Sequence, residues 1–346
     1  MHINFKDNFL KWVLIALFSC VVFLLNGCDS PPNQHTDGTV INGNIQFPPG
    51  SKIYFTSFAD SINLFLERKS ILDSALIDEK GNYSLNINLH SSCAFNLECG
   101  NKILVPNLFL SPDDNLTINF VGRDSRPVIL RSRQEAKYNT FLLQLVDSFY
   151  NDPVLKPQYY IASNYMDLSQ FVNYTDTRRK HQISFFNEFF KGDSLRTEFR
   201  DYAVNTIEYG IAVDRLLYLW KKRMKSETVN PDSSYFYFEG ASYLENRNAL
   251  TCPAYVHFLN LYIMDVYVRM LEKGTLPEDK SKAMVPQVEK FKLAVRLLNR
   301  PFRDVVLLNI ISNDINSLAG KESDLPGTSS SINERVEWFK KRYSLQ

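Results

Sequence analysis

The chain of 346 residues is poor in the side chains that most often carry chemistry, with five cysteines, five histidines and 13 glycines. No Cys-x-x-Cys occurs, so neither a dithiol redox centre nor a zinc knuckle is encoded. His2, His35, His90, His181 and His257 are scattered and never form a His-x-x-x-His pair, so a zinc site has no support. P-loop, Gly-x-Gly-x-x-Gly, Gly-x-Ser-x-Gly and His-Glu-x-x-His patterns are missing, so no catalytic residue, metal ligand or cofactor is assigned. An excess of charge of one sign is lacking too. Lys and Arg number 39 against 38 Asp and Glu, which leaves no basic field to gather nucleic acid phosphates. A content of 45% hydrophobic and 22% charged residues excludes disorder as the main state.

What the chain does have begins at its N-terminus. Lys6 and Lys11 precede an apolar run, Trp12–Leu25, with Ser19 its one polar residue, followed by Asn26, Gly27 and Cys28. Cationic, then apolar, then small is the order of a secretory signal. The run has 14 residues, short of the roughly 20 needed to span a bilayer. Leu25-Asn26-Gly27-Cys28 resembles a bacterial lipobox, although Asn26 departs from the small or branched residue usual at its position. The resemblance implies that residues 1–27 are removed and that the Cys28 thiol carries diacylglycerol. Two or three acyl chains, at about 0.8 kcal/mol per buried CH₂, would hold the protein firmly. Residues 28–37, polar and proline-containing, read as a tether of about 30 Å when extended. The expected location is the cell envelope, lipid-anchored on the outer membrane. Asp29, an inner-membrane retention signal in some Gram-negative lineages, leaves the leaflet open.

With Cys20 in the leader and Cys28 lipidated, Cys93, Cys99 and Cys252 remain in a compartment that permits disulfides. Cys93 and Cys99 bound a strand-like run, and a strand of that length separates them by about 20 Å, beyond the ~7 Å that a bridge allows. A bridge from either to Cys252 stays open, while the favoured reading is buried thiols acting as small hydrophobes.

Hydrophobic periodicity divides the rest in two. From Gly38 to Arg131, short β-like runs alternate with turn residues such as Pro48-Pro49-Gly50 and Asp78-Glu79-Lys80-Gly81. Tyr83, Leu85, Ile87 and Leu89 alternate with Ser84, Asn86 and Asn88, as do Leu116, Ile118 and Phe120 with their polar neighbours, which predicts sheets with one covered face. Seven or eight strands predict a small antiparallel β-sandwich over 38–131. Beyond Arg133 the spacing becomes helical. Phe199, Tyr202, Ala203, Ile207, Val213, Leu216 and Trp220 belong to one long stripe, with Asp193 or Ser194 as its cap and Lys221, Lys222, Arg223 and Lys225 at its electronegative end. Further helices are predicted over 134–150, 181–190, 255–271, 285–298 and 304–318. The fold class is therefore α+β with segregated halves, an antiparallel β-sandwich followed by an all-helical domain over 132–346.

Three clusters are candidates for binding. Phe185, Phe186, Phe189, Phe190 and Tyr235-Phe236-Tyr237-Phe238 could line a groove for a glycan or peptide, although such stripes are more often core; Tyr235 and Tyr237 would be left over on the opposite face. Arg178-Arg179-Lys180-His181 could meet phosphate or lipid headgroups, against a plain solvated helix face. Asp113-Asp114-Asn115 offers oxygens, but calcium needs six to eight and a turn uses the same residues.

Several stretches together carry a wider likeness: Gly43-Asn44-Ile45, Lys52-Ile53-Tyr54-Phe55, Asp73-Ser74-Ala75-Leu76-Ile77-Asp78, Gly81-Asn82-Tyr83-Ser84-Leu85 and Leu108-Phe109-Leu110-Ser111-Pro112-Asp113-Asp114-Asn115. They resemble the N-terminal β-domain of lipoprotein thiol-disulfide oxidoreductases of the TlpA-like, thioredoxin-fold type. Asp113 stands where that family usually has Gly. Tyr243-Leu244-Glu245-Asn246, Ala249-Leu250, Pro253-Ala254-Tyr255 and Phe258-Leu259 resemble its helical middle region. The family's thioredoxin domain carries Trp-Cys-x-x-Cys, which this sequence lacks, so no catalytic position is carried over. The expected function is a membrane-anchored, non-catalytic binding or interaction module. The alternatives are the front part of a split or truncated oxidoreductase, its thioredoxin domain lost or supplied by a partner, and a glycan- or peptide-capturing surface lipoprotein. The expected partners are the membrane, through the lipid on Cys28, and a thioredoxin-fold or other envelope protein, with nucleic acid excluded.

Overall fold

Alternation of apolar and polar residues becomes sheet as expected. The computed structural model describes residues 38–57, 70–100, 102–121, 126–129, 134–151, 162–275, 286–307 and 309–310. The leader, Cys28, the tether and the predicted helix beyond Ile310 lie outside the described residues. Eight strands are described: β1 (Thr39–Asn44), β2 (Lys52–Ser57), β3 (Ser70–Leu76), β4 (Asn82–Ile87), β5 (Cys93–Cys99), β6 (Lys102–Leu110), β7 (Asn115–Val121) and β8 (Arg126–Ile129). Along β4, Tyr83, Leu85 and Ile87 are buried while Asn82, Ser84 and Asn86 are exposed.

The strands form two sheets, in the orders β4-β1-β7-β8 and β3-β2-β5-β6. Ile41, Leu85, Leu116 and Ile118 from the first sheet share one buried cluster with Ile53, Phe55, Phe95, Leu97 and Leu108 from the second. The two sheets therefore bury their apolar faces in common, as in a sandwich. The described pairings are antiparallel except β1 with β7, which run parallel from Val40–Asn115 to Asn42–Thr117. Period-two patterning decides which face a residue takes but not the direction of the neighbouring strand, so that pairing was not legible beforehand.

The helical half comprises α1 (Gln134–Val146), α2 (Leu168–Phe189), α3 (Thr197–Met224), α4 (Pro253–Glu272) and α5 (Pro286–Leu297), with a π turn at Asp147–Asn151. The α2 helix starts well before the predicted His181. Asp167 and Gln170 form a reciprocal capping box, Gln170 N–H donating to Asp167 at 2.8 Å and Asp167 N–H to Gln170 at 3.1 Å. At α3 the expected cap is absent: the preceding residue is Arg196, and no side chain caps the helix. Asp193 instead pairs with Lys137.

The helices lie on the outer face of the second sheet, where Ala94 of β5 and Phe109 of β6 join the helical core. Phe109 packs against Phe199 and Tyr202 at centroid distances of 5.4 and 5.1 Å, and Tyr138 stacks on Phe199 at 3.9 Å. A polar seam reinforces this contact. Arg196 donates from Nη1 to Asp114 at 2.8 Å and from its backbone N–H to the Tyr138 hydroxyl at 2.9 Å, while Asp114 also accepts the Ser111 N–H at 2.8 Å. The Asp113-Asp114-Asn115 turn is thus consumed by structure: Asp113 takes the left-handed backbone (φ 65°), and Asp114 serves as an ion-pair partner.

Candidate functional site

Each of the three described thiols is buried and free. Cys93 and Cys99 stand at opposite ends of β5, and Cys252 precedes α4, with its sulfur 3.5 Å from the Thr206 hydroxyl. Burial pushes the Cys93 thiol up to about 12 and raises Cys99 and Cys252 as well. A thiol so placed is protonated at neutral pH and has little nucleophilic thiolate to offer.

The aromatic clusters face inward. Phe141 of α1 lies 5.2–5.4 Å, centroid to centroid, from Phe185, Phe186, Phe189 and Phe190 of the α2 end, so that cluster is core. Asp232 caps the 3-10 turn Ser233–Glu239, which turns Tyr235 and Phe238 into the protein. Tyr235 is buried, with its hydroxyl donating to the Arg215 carbonyl at 2.6 Å. Tyr237 is half-buried under the Arg215 guanidinium, 4.8 Å from its ring centroid. The expectation that both would be left over on an outer face is therefore corrected. A 3-10 turn places side chains at about 120° intervals, so strand-like alternation does not apply.

The basic run of α2 divides by helical angle. Arg178 is buried in an ion pair with Asp214, and Arg179 donates to Glu208 from Nε at 2.7 and 2.9 Å and from Nη2 at 2.6 Å, which raises its pKa. Only Lys180 and His181 are solvated. Arg178 and Arg179 thus fasten α2 to α3, and the solvated-face reading holds for half of the run.

A concavity among the described residues lies elsewhere, between α4 and α5. Tyr262, Val266, Arg269, Met270 and Lys273 share one face of the α4 end and, with Glu239 and Leu297, line a cavity of about 230 Å³. Arg269 is its centre: it pairs with Glu239, lies 2.9 Å from Asp265 and covers the Phe236 ring at 4.4 Å. Burial, then the Glu239 charge, raises the Tyr262 pKa, so its hydroxyl is protonated at neutral pH. The Arg269 charge is thus already met by two carboxylates, Glu239 and Asp265, and the volume is below the ~300 Å³ at which drug-sized sites begin. Sequence reasoning missed this site because Glu239, Arg269 and Leu297 lie far apart in the chain. The one local signal was Asp265 four residues before Arg269 on a helix.

Among the described residues, no three His, Cys, Asp or Glu side chains converge to hold a metal. No helix among them is long and apolar enough to cross a membrane. No protein-family model, curated protein or solved structure matches the chain.

Proposed function

We propose that this protein is a lipid-anchored component of the bacterial cell envelope, held on the outer membrane through Cys28, and that it works as a non-catalytic binding module. The observation that carries the reading is the leader, Lys6 and Lys11 followed by Trp12–Leu25 and then Gly27-Cys28. The protonated, buried state of Cys93, Cys99 and Cys252 supports a role without thiol chemistry.

The test is fractionation of cells expressing the wild type or Cys28→Ser. Wild type stays with the membrane through a carbonate wash, and the variant is released or left unprocessed. A variant that remains in washed membranes overturns the lipid anchor. A second readout addresses catalysis: purified protein reducing insulin disulfides at a thioredoxin-like rate would overturn the non-catalytic role.

The likeness of Leu108–Asn115 and Tyr243–Asn246 to thioredoxin-fold lipoproteins favours a second reading, in which a separate chain supplies the dithiol. Affinity purification from envelope extracts tests it, with co-purification of a Cys-x-x-Cys protein as the expected sign.

A further inference from the structure

The walls of the Arg269 cavity are held from behind. Arg269 is fixed by Glu239, by Asp265 and by the Phe236 ring beneath it. The Met270 sulfur accepts a hydrogen bond from Arg296 of α5 at 3.7 Å, which ties that wall to the neighbouring helix. The Tyr262 ring lies 6.1 Å, centroid to centroid, from Phe258 in the helical core. Small-molecule sites are largely pre-formed in this way, with apolar walls and a few placed polar groups.

One polar group in that lining lacks a partner. Tyr209, Tyr218, Tyr235 and Tyr255 each donate their hydroxyl to a backbone carbonyl, as buried phenols ordinarily do. Tyr262 is only 6% exposed and lines the cavity, yet its hydroxyl has no hydrogen-bond partner among the described residues. An acceptor inside the cavity would complete it. Charge decides the rest of the chemistry. Glu239 in the lining repels an anion, Arg269 and Lys273 repel a cation, and Lys273 is exposed, where an ion pair is worth little. An ion of either sign would therefore give up hydration for little return. Val266, Met270 and Leu297 favour an apolar body. A cavity of about 150 Å³ holds benzene, which scales to about nine non-hydrogen atoms in the 230 Å³ here.

We propose that the cavity between α4 and α5 binds a small uncharged molecule with an apolar body of that size and a hydrogen-bond acceptor, to which the Tyr262 hydroxyl donates. The proposal rests on the reading of the chain as a binding module and gives that module a ligand class. The Cys28→Ser fractionation and the insulin assay use no such ligand, so the failure of that reading and the failure of this one are separate results.

The experiment uses the mature chain without its lipid, carrying Cys28→Ser, and four probes of nearly equal size. Acetophenone is uncharged with one acceptor, ethylbenzene is uncharged with none, and benzoate and benzylammonium carry opposite charges. NMR of isotope-labelled methionine methyl groups reads binding at Met270, inside the lining. Acetophenone shifts the Met270 signal and binds about fivefold more tightly than ethylbenzene, the value of one hydrogen bond. It also binds more tightly than either ion. Tyr262→Phe removes the fivefold advantage and leaves ethylbenzene bound at least as tightly as before. The proposal is overturned by an unmoved Met270 signal with acetophenone, by acetophenone binding no better than ethylbenzene or than either ion, or by an advantage that survives in Tyr262→Phe. Circular dichroism checks the fold of that variant. Should it unfold, Val266→Phe, which fills the cavity, replaces it, with loss of acetophenone binding expected and undiminished binding overturning the site.

Discussion

The side-chain amide of Asn139 pairs with both backbone groups of Phe109. Its Oδ1 accepts the Phe109 N–H at 2.7 Å, and its Nδ2 donates to the Phe109 carbonyl at 2.8 Å. Phe109 lies on β6, the edge strand of the second sheet, so an α1 side chain supplies the bonds that another strand would make there. The pair is buried, and Nδ2 also reaches the Glu135 carbonyl at 2.9 Å. A single amide thus caps a sheet edge and joins the two halves of the fold.

Asn139→Ala would leave the Phe109 N–H and carbonyl without partners in a buried seam. The expected cost is about 2–6 kcal/mol, from two groups at roughly 1–3 kcal/mol each. Urea unfolding followed by circular dichroism measures it, and a loss below about 1 kcal/mol would show that water replaces the amide at no cost.

Gly43 is needed for close approach between strands. A Cβ there would lie 1.7 Å from the Ile118 carbonyl oxygen and 2.8 Å from the Tyr83 hydroxyl, which itself donates to that carbonyl at 2.8 Å. Gly43→Ala must therefore push β1 away from β7, at an expected cost of about 3 kcal/mol. Tyr83→Phe costs about 1 kcal/mol, the net value of one hydrogen bond. Combining the two does not rescue Gly43→Ala, because the severe contact is with backbone. Thermal melts of the three variants check the order.

The buried thiols predict a fall in stability at alkaline pH. The folded pKa of Cys93 lies at about 12, above its ordinary value of 9.0, so the unfolded chain loses its proton first. Its contribution is fully present below pH 9 and is lost as pH rises from about 9 toward 12. Cys99 and Cys252 act in the same direction. Denaturation midpoints measured from pH 8 to 11 should decline, and Cys93→Ala should flatten the slope. Native protein at pH 8 should react with Ellman's reagent at these three positions only after denaturant is added. Rapid native labelling would contradict their burial.

Much of the architecture was legible because burial imposes period. Tyr83, Leu85 and Ile87 must share a face once one side of the sheet is covered, and the Phe199–Leu216 stripe must share one on a helix. The core role of Phe185, Phe186, Phe189 and Phe190 followed from the same rule. Arg178 was harder: composition makes a basic run look solvated, and only the position of Asp214 on α3 makes its burial possible. The Arg269 cavity was not legible, since it depends on the Ser233–Glu239 turn and α5 meeting one end of α4.

The sequence by itself determined the segregation into a β half and a helical half, the faces that turn inward and the absence of a Cys-x-x-Cys dithiol, because these depend on residue identity and local spacing. Tertiary structure alone decided the parallel pairing of β1 with β7, the partners of the buried cations and the clasp of Asn139 on Phe109. Those depend on which distant segments meet, and the energies that select them arise only when backbone groups and charges are buried together away from water.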